Sequence, residues 1–259
     1  FLIAAVLLLL VCGGFFIAAT ARRRKVFVRA YKERLVRMVL GRVLERLVFE
    51  PGRGLPEEVI RATGMMRMGN VYRSDDYVSG VYKDVSVEQS DVCIEEVTSN
   101  GKTTTTVTYF RGRWMIFGFN KTFRCALQVR EKGFGYAKKR GSWLRRNEPD
   151  GYMRKIEMED EAFNERFAVY ASDMQEAYYI LTPAFMERIR LLADRTEGAL
   201  LLCFLDQKLH VACNSGKNAF EPRMSVPVTR ALLEQVYGEI GFVTQFVDEL
   251  KLDRTLYKV

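Results

Sequence analysis

The chain is poor in the side chains that most often carry chemistry. It has one histidine, and its five cysteines stand apart at positions 12, 93, 125, 203 and 213. One His and scattered Cys do not supply a four-ligand zinc spacing. With no CxxC pair and an odd number of thiols, the set suits a reducing compartment rather than a disulfide framework. Patterns of the type GxGxxG, GxxxxGK[ST] and GxSxG are absent. That removes the sequence signatures of a dinucleotide fold, a P-loop and a nucleophile elbow. There is no internal repeat and no low-complexity tract. No cofactor, metal or catalytic residue is expected from these absences.

Charge is also missing from one stretch. Residues 1–21 carry none, and Thr20 is their one clearly polar side chain. At 1.5 Å per residue a helix of 21 residues is about 31 Å long, close to the roughly 30 Å of a hydrocarbon core. The apolar run is longer than the roughly 7–15 residues of a signal-peptide core. A transmembrane helix over 1–21 is therefore expected. Arg22, Arg23, Arg24 and Lys25 follow it, and such a basic flank favours the cytoplasmic side.

The excess of positive charge is localised. Residues 22–53 hold 11 basic and 3 acidic side chains, whereas 54–259 hold 29 of each sign. Two contact zones for anionic lipid headgroups follow: the collar Arg22, Arg23, Arg24 and Lys25, and Lys138, Lys139 and Arg140 in a second basic patch over 130–146. The pI of 9.2 comes from the collar, and no groove-reading motif accompanies it, so nucleic acid is not an expected partner.

With 48% hydrophobic and 28% charged residues the remainder reads as globular. Apolar residues at helical spacing predict an amphipathic basic juxtamembrane helix over 22–50, strongest from Val26 to Val48. Pro51 and Gly52 stop it. An α+β domain follows over 51–259, with a mostly antiparallel sheet and flanking helices. Asn100-Gly101 predicts a two-residue turn that sets Val97 opposite Thr104, Ile94 opposite Val107 and Val92 opposite Tyr109. Trp114, Phe117 and Phe119 read as core. Ser172 with Gln175 matches a capping box. Thr182-Pro183 reads as an N-cap followed by proline at the first helical position. A hairpin is expected across Asp206-Gln207, and a long helix over 228–250.

Two clusters invite a chemical reading. His210 lies opposite Cys203 in the expected hairpin, but no orienting third residue is evident and its flanks are apolar, so it reads as structural. Asp75-Asp76 and Asp91, Glu95 and Glu96 lack the glycine and ligand period of a calcium loop and read as strand-edge and turn charges. A ligand pocket is weighed at Asn120, Lys121, Asp173, Glu176 and Tyr179, against a role in capping and surface packing.

The order of several blocks resembles a bacterial family, domain of unknown function 3137. The blocks are Ser74-Asp75-Asp76-Tyr77-Val78-Ser79-Gly80, Phe110-Arg111-Gly112, Phe119-Asn120-Lys121-Thr122-Phe123, Phe167-Ala168-Val169-Tyr170, the run from Asp173 to Pro183, and Phe220-Glu221-Pro222. The resemblance implies a bacterial inner-membrane protein with its domain in the cytoplasm, usually preceded by another span. It carries no established activity. The expectation is a non-catalytic interaction or scaffolding module near anionic lipid, with a protein partner in membrane or cytoplasm. The alternative is an enzyme or small-ligand-binding domain.

Overall fold

The computed structural model describes residues 20–118, 125–135, 153–222 and 230–252. Among these, nine strands form one sheet in which every neighbouring pair is antiparallel, with few helices around it. The strands are β1 (Glu45–Glu50), β2 (Val71–Tyr82), β3 (Val85–Ser99), β4 (Thr104–Gly118), β5 (Leu127–Glu131), β6 (Arg154–Ile156), β7 (Phe167–Ala171), β8 (Ala199–Leu205) and β9 (Lys208–Asn214). Their spatial order is β1-β2-β3-β4-β9-β8-β5-β7-β6. The helices are α1 (20–43), α2 (Glu57–Ala62), α3 (Glu161–Arg166), α4 (Met174–Ile180), α5 (Pro183–Arg195) and α6 (Arg230–Leu250).

The centre of the sheet is buried on both faces. Along β8, Leu200, Leu202 and Phe204 pack with Phe185 and Ile189 of α5 and Phe246 of α6, while Leu201 and Cys203 pack toward Ile60 of α2. A strand covered on both faces is a continuous apolar run, and Ala199–Leu205 is one. A third cluster joins Val36, Val39 and Leu40 of α1 to Phe49, Phe220 and Ile240.

The expected fold needs correction at its N-terminus. Among the described residues no helix is long and apolar enough to cross a membrane, so a transmembrane helix there is not supported. Residues 1–19 lie outside the described part. The amphipathic helix also stops earlier than expected. Leu44 is extended at φ −104°, and Glu45–Glu50 is a strand paired with β2. Apolar residues 43, 44 and 47 fit helical spacing, but short apolar runs do not separate helix from strand, and pairing with an open sheet edge decides it. Within α1, the turn Tyr31–Val36 is π-helical.

The Asn100-Gly101 register is corrected too. Ser99 faces Thr104, Val97 faces Thr106, and beyond an irregularity after Ile94 that residue faces Phe110 while Val92 faces Gly112. The Asn100 side chain accepts hydrogen bonds from the Lys102 and Thr103 amides at 3.1 and 2.8 Å. This closes a longer loop in which, of Asn100 and Gly101, only the glycine takes positive φ. Val107 is exposed, whereas Tyr109 and Phe110 are both buried. The capping box at Ser172 is likewise displaced by one residue, because Asp173 accepts from the Glu176 amide and caps α4. Thr182 caps α5 with Pro183 at its start, and β8 and β9 turn at Asp206, as the residues suggested.

Gly112 explains itself sterically. A Cβ there would lie 2.0 Å from the Cys213 carbonyl oxygen. Gly112→Ala should therefore cost about 1–3 kcal/mol, the usual range for overpacking, measured by urea unfolding.

Candidate functional site

Three carboxylates, the neighbours Asp75 and Asp76 and the distant Asp91, meet on the sheet face that carries α6. Asp91 of β3 stands directly opposite Asp75 of β2. Consecutive strand residues normally point to opposite faces, which would send Asp76 away. Here β2 carries one extra residue between Asp75 and Val78, and Asp76 takes a left-handed φ of 54°. Such a bulge re-aims a side chain, and Asp tolerates that conformation better than most residues. As a result one ligand oxygen each from Asp75, Asp76 and Asp91 lies within 4.8 Å of the others.

Helix α1 closes the cluster from one side. Lys32 sits on the π-helical turn, and its Nζ donates to Asp76 Oδ2 at 2.6 Å and to Glu221 Oε1 at 2.8 Å. Its side chain is 7% exposed and that of Asp76 is 1% exposed, so this is an interior ion pair. From the other side Arg113 of β4 stands opposite Asp91, but its guanidinium donates to the carbonyl and carboxylate of Glu239 on α6.

Burial controls the electrostatics. It raises Asp91 to about 8 in spite of the Arg113 charge, and raises Asp76 to about 7 in spite of Lys32. Burial also raises Asp75. It works against the charge on Lys32, yet the carboxylates of Asp76 and Glu221 outweigh it and raise the lysine. The Ala219 amide donates to Asp91. Asp76 Oδ1 and Asp91 Oδ2 are buried and have no hydrogen-bond partner among the described residues.

A cleft of about 480 Å³ opens beside the cluster, lined by Arg73, Asp75, Asp91, Cys93, Arg111 and Asn218 among others. Asp75 and Asp91 are thus both cluster members and cleft wall. From sequence alone these acids read as strand-edge and turn charges. The signal was present in the Asp75-Asp76 pair inside a strand, but the β2–β3 pairing and the bulge are needed to see them converge.

The residues singled out from sequence are placed as follows. Arg22, Arg23, Arg24 and Lys25 lie on the first turns of α1 and are exposed. Lys138, Lys139, Arg140, Asn120 and Lys121 fall outside the described residues. Asp173 caps α4 and Glu176 lies in its first turn. Burial, followed by the charge of Glu176, pushes the Cys125 thiol up to about 12. Tyr179 is half exposed.

His210 does lie opposite Cys203. Its Nδ1 accepts from Trp114 Nε1 at 3.3 Å, and burial lowers the imidazole to about 4. The Cys203 thiol is raised to about 12 by burial, and it donates to the Thr63 carbonyl. A neutral histidine beside a protonated thiol is not an activated nucleophile.

The family described as Protein of unknown function (DUF3137) matches residues 108–252. Among solved structures, the mycobacterial trehalose monomycolate transport factor A, TtfA, is 13% identical with a TM-score of 0.43, covering 86% of this chain and 96% of that one. The search of curated proteins gave no match.

Proposed function

The chain belongs to the family described as Protein of unknown function (DUF3137), and on that premise we propose that it is a non-catalytic interaction module that presents its first helix to anionic lipid headgroups. The observation that carries this reading is the state of Arg22, Arg23, Arg24 and Lys25. All four are exposed on α1, and none forms an ion pair among the described residues. Seven residues past Lys25 on the same helix, buried Lys32 is pegged to Asp76 and Glu221. The collar is therefore carried by a helix seated on the sheet, which lowers the entropic cost of aligning it with a surface. The cytoplasmic leaflet is the surface of matching charge, and the described cysteines are all free, as suits that compartment.

Each cation near such a surface contributes about 1 kcal/mol, so four together amount to roughly a thousandfold in affinity. The test uses the full chain with vesicles of phosphatidylcholine alone and with added phosphatidylserine. Converting Arg22, Arg23, Arg24 and Lys25 to Gln should remove most of the phosphatidylserine-dependent sedimentation, and salt should do the same to the unaltered chain. Sedimentation that ignores both phosphatidylserine and the substitutions contradicts the proposal.

A further inference from the structure

We infer that Asp75, Asp76 and Asp91 form a binding site for a hard divalent cation of the magnesium, calcium or manganese class, entered through the cleft beside Asp75 and Asp91. Three independent observations support it. The first is convergence: the cross-strand pair Asp75–Asp91 and the bulge at Asp76 bring three carboxylates within 4.8 Å, on one face, from positions that alternation alone would separate.

The second is the state of their oxygens. Asp76 is 1% exposed and Asp91 4% exposed, and each keeps one oxygen with no partner among the described residues. The other oxygens are committed, to Lys32 in Asp76 and to the Ala219 amide in Asp91. A buried acceptor without a donor is costly, and a cation is one of the few groups that satisfies several at once.

The third is charge. Lys32 is bonded to Asp76 and Glu221, and Arg113 to Glu239, so neither Asp75 nor Asp91 is in an ion pair among the described residues. A divalent ion would supply that partner to both. The donors are all carboxylate oxygens, with no imidazole among them, and the Cys93 thiol lining the cleft is raised by burial and so stays protonated. Oxygen-only sites select magnesium, calcium and manganese over zinc or copper. The cleft leaves room for the ion to keep water ligands, as magnesium and manganese prefer.

The test is manganese binding to the purified, chelator-treated full chain, read from the electron paramagnetic resonance signal of free aqueous Mn²⁺. One saturable site is expected. Asp91→Asn should abolish it, and Asp75→Asn should weaken it at least tenfold. Glu187→Gln, at an exposed position of α5, should leave it unchanged and serves as the control for surface binding. Asp91→Asn removes a buried charge without changing volume, so a retained thermal unfolding transition keeps its loss of binding interpretable. No saturable Mn²⁺ site in the unaltered chain would overturn the inference. So would equal binding by Asp91→Asn and Asp75→Asn, or an equal loss in Glu187→Gln.

Discussion

Lys32→Met should lower the stability of the fold by about 3–5 kcal/mol, the range seen when one partner of a buried ion pair is removed. The reason is asymmetry. Met fills much of the same volume, so little packing is lost. What remains is an interior carboxylate at Asp76 without its ammonium, next to Asp75 and Glu221, whose charges oppose its ionisation. Asp76 escapes part of the cost by taking a proton, since its carboxyl already titrates near 7. The loss should therefore be smaller at pH 6 than at pH 8.5. Adding Asp76→Asn to Lys32→Met should recover most of the stability, because the uncompensated charge is then gone. Urea unfolding of the wild type, both single variants and the double variant measures the coupling directly. A single-variant loss below about 1 kcal/mol would place the pair with surface ion pairs rather than interior ones.

The second large effect is acid sensitivity at His210. Burial lowers its folded value to about 4, against 6.5 for the free side chain. A depressed folded value means that the neutral imidazole is what the fold accommodates. The associated stability is fully present above pH 6.5 and is lost as pH falls through the window from 6.5 to 4. At about 1.36 kcal/mol per pH step the loss is about 3 kcal/mol. His210→Gln keeps an acceptor for Trp114 Nε1 and does not titrate. The difference in unfolding free energy between wild type and His210→Gln should shift by that amount, against the wild type, between pH 7.5 and pH 4. Taking the difference cancels the titration of Asp76 and Asp91, which runs the other way. A difference that is constant with pH would show that His210 is solvated.

Local signals in the sequence were reliable where one interaction decides the outcome. Thr182-Pro183 marks a helix start because the threonine oxygen has one use there, accepting from the Phe185 amide. The β8–β9 hairpin is legible because its two apolar runs flank a two-residue turn with Asp206 at positive φ. Trp114 and Phe117 are core residues for the plain reason that large aromatics bury large areas. Failure came where two interactions compete. Asn100 suits a tight turn through its backbone, yet its side chain captures two amides and lengthens the loop. That displaced the β3–β4 register and hid the pairing of Asp91 with Arg113. Leu44 to Val48 fit a helix by spacing but are drawn into a strand by the edge of β2.

The candidate site was the least legible part, for a definite reason. Its side chains come from α1, β2, β3 and the segment before α6, so no window of sequence contains it. Its key geometric device is one extra residue in β2, which reverses the face that Asp76 would otherwise occupy. Asp75-Asp76 and Glu221 were both prominent in the family-like blocks, but their reason for standing there is spatial.

Lys32 holds the basic helix to the acid cluster. Limited trypsin digestion of the full chain tests this most directly, because cleavage requires local opening. In Lys32→Met, cutting after Arg34 and Arg37 should accelerate at least tenfold, well ahead of any cutting after Arg195 or Lys208. Unchanged rates at Arg34 and Arg37, or acceleration that appears equally at Arg195 and Lys208, would contradict it.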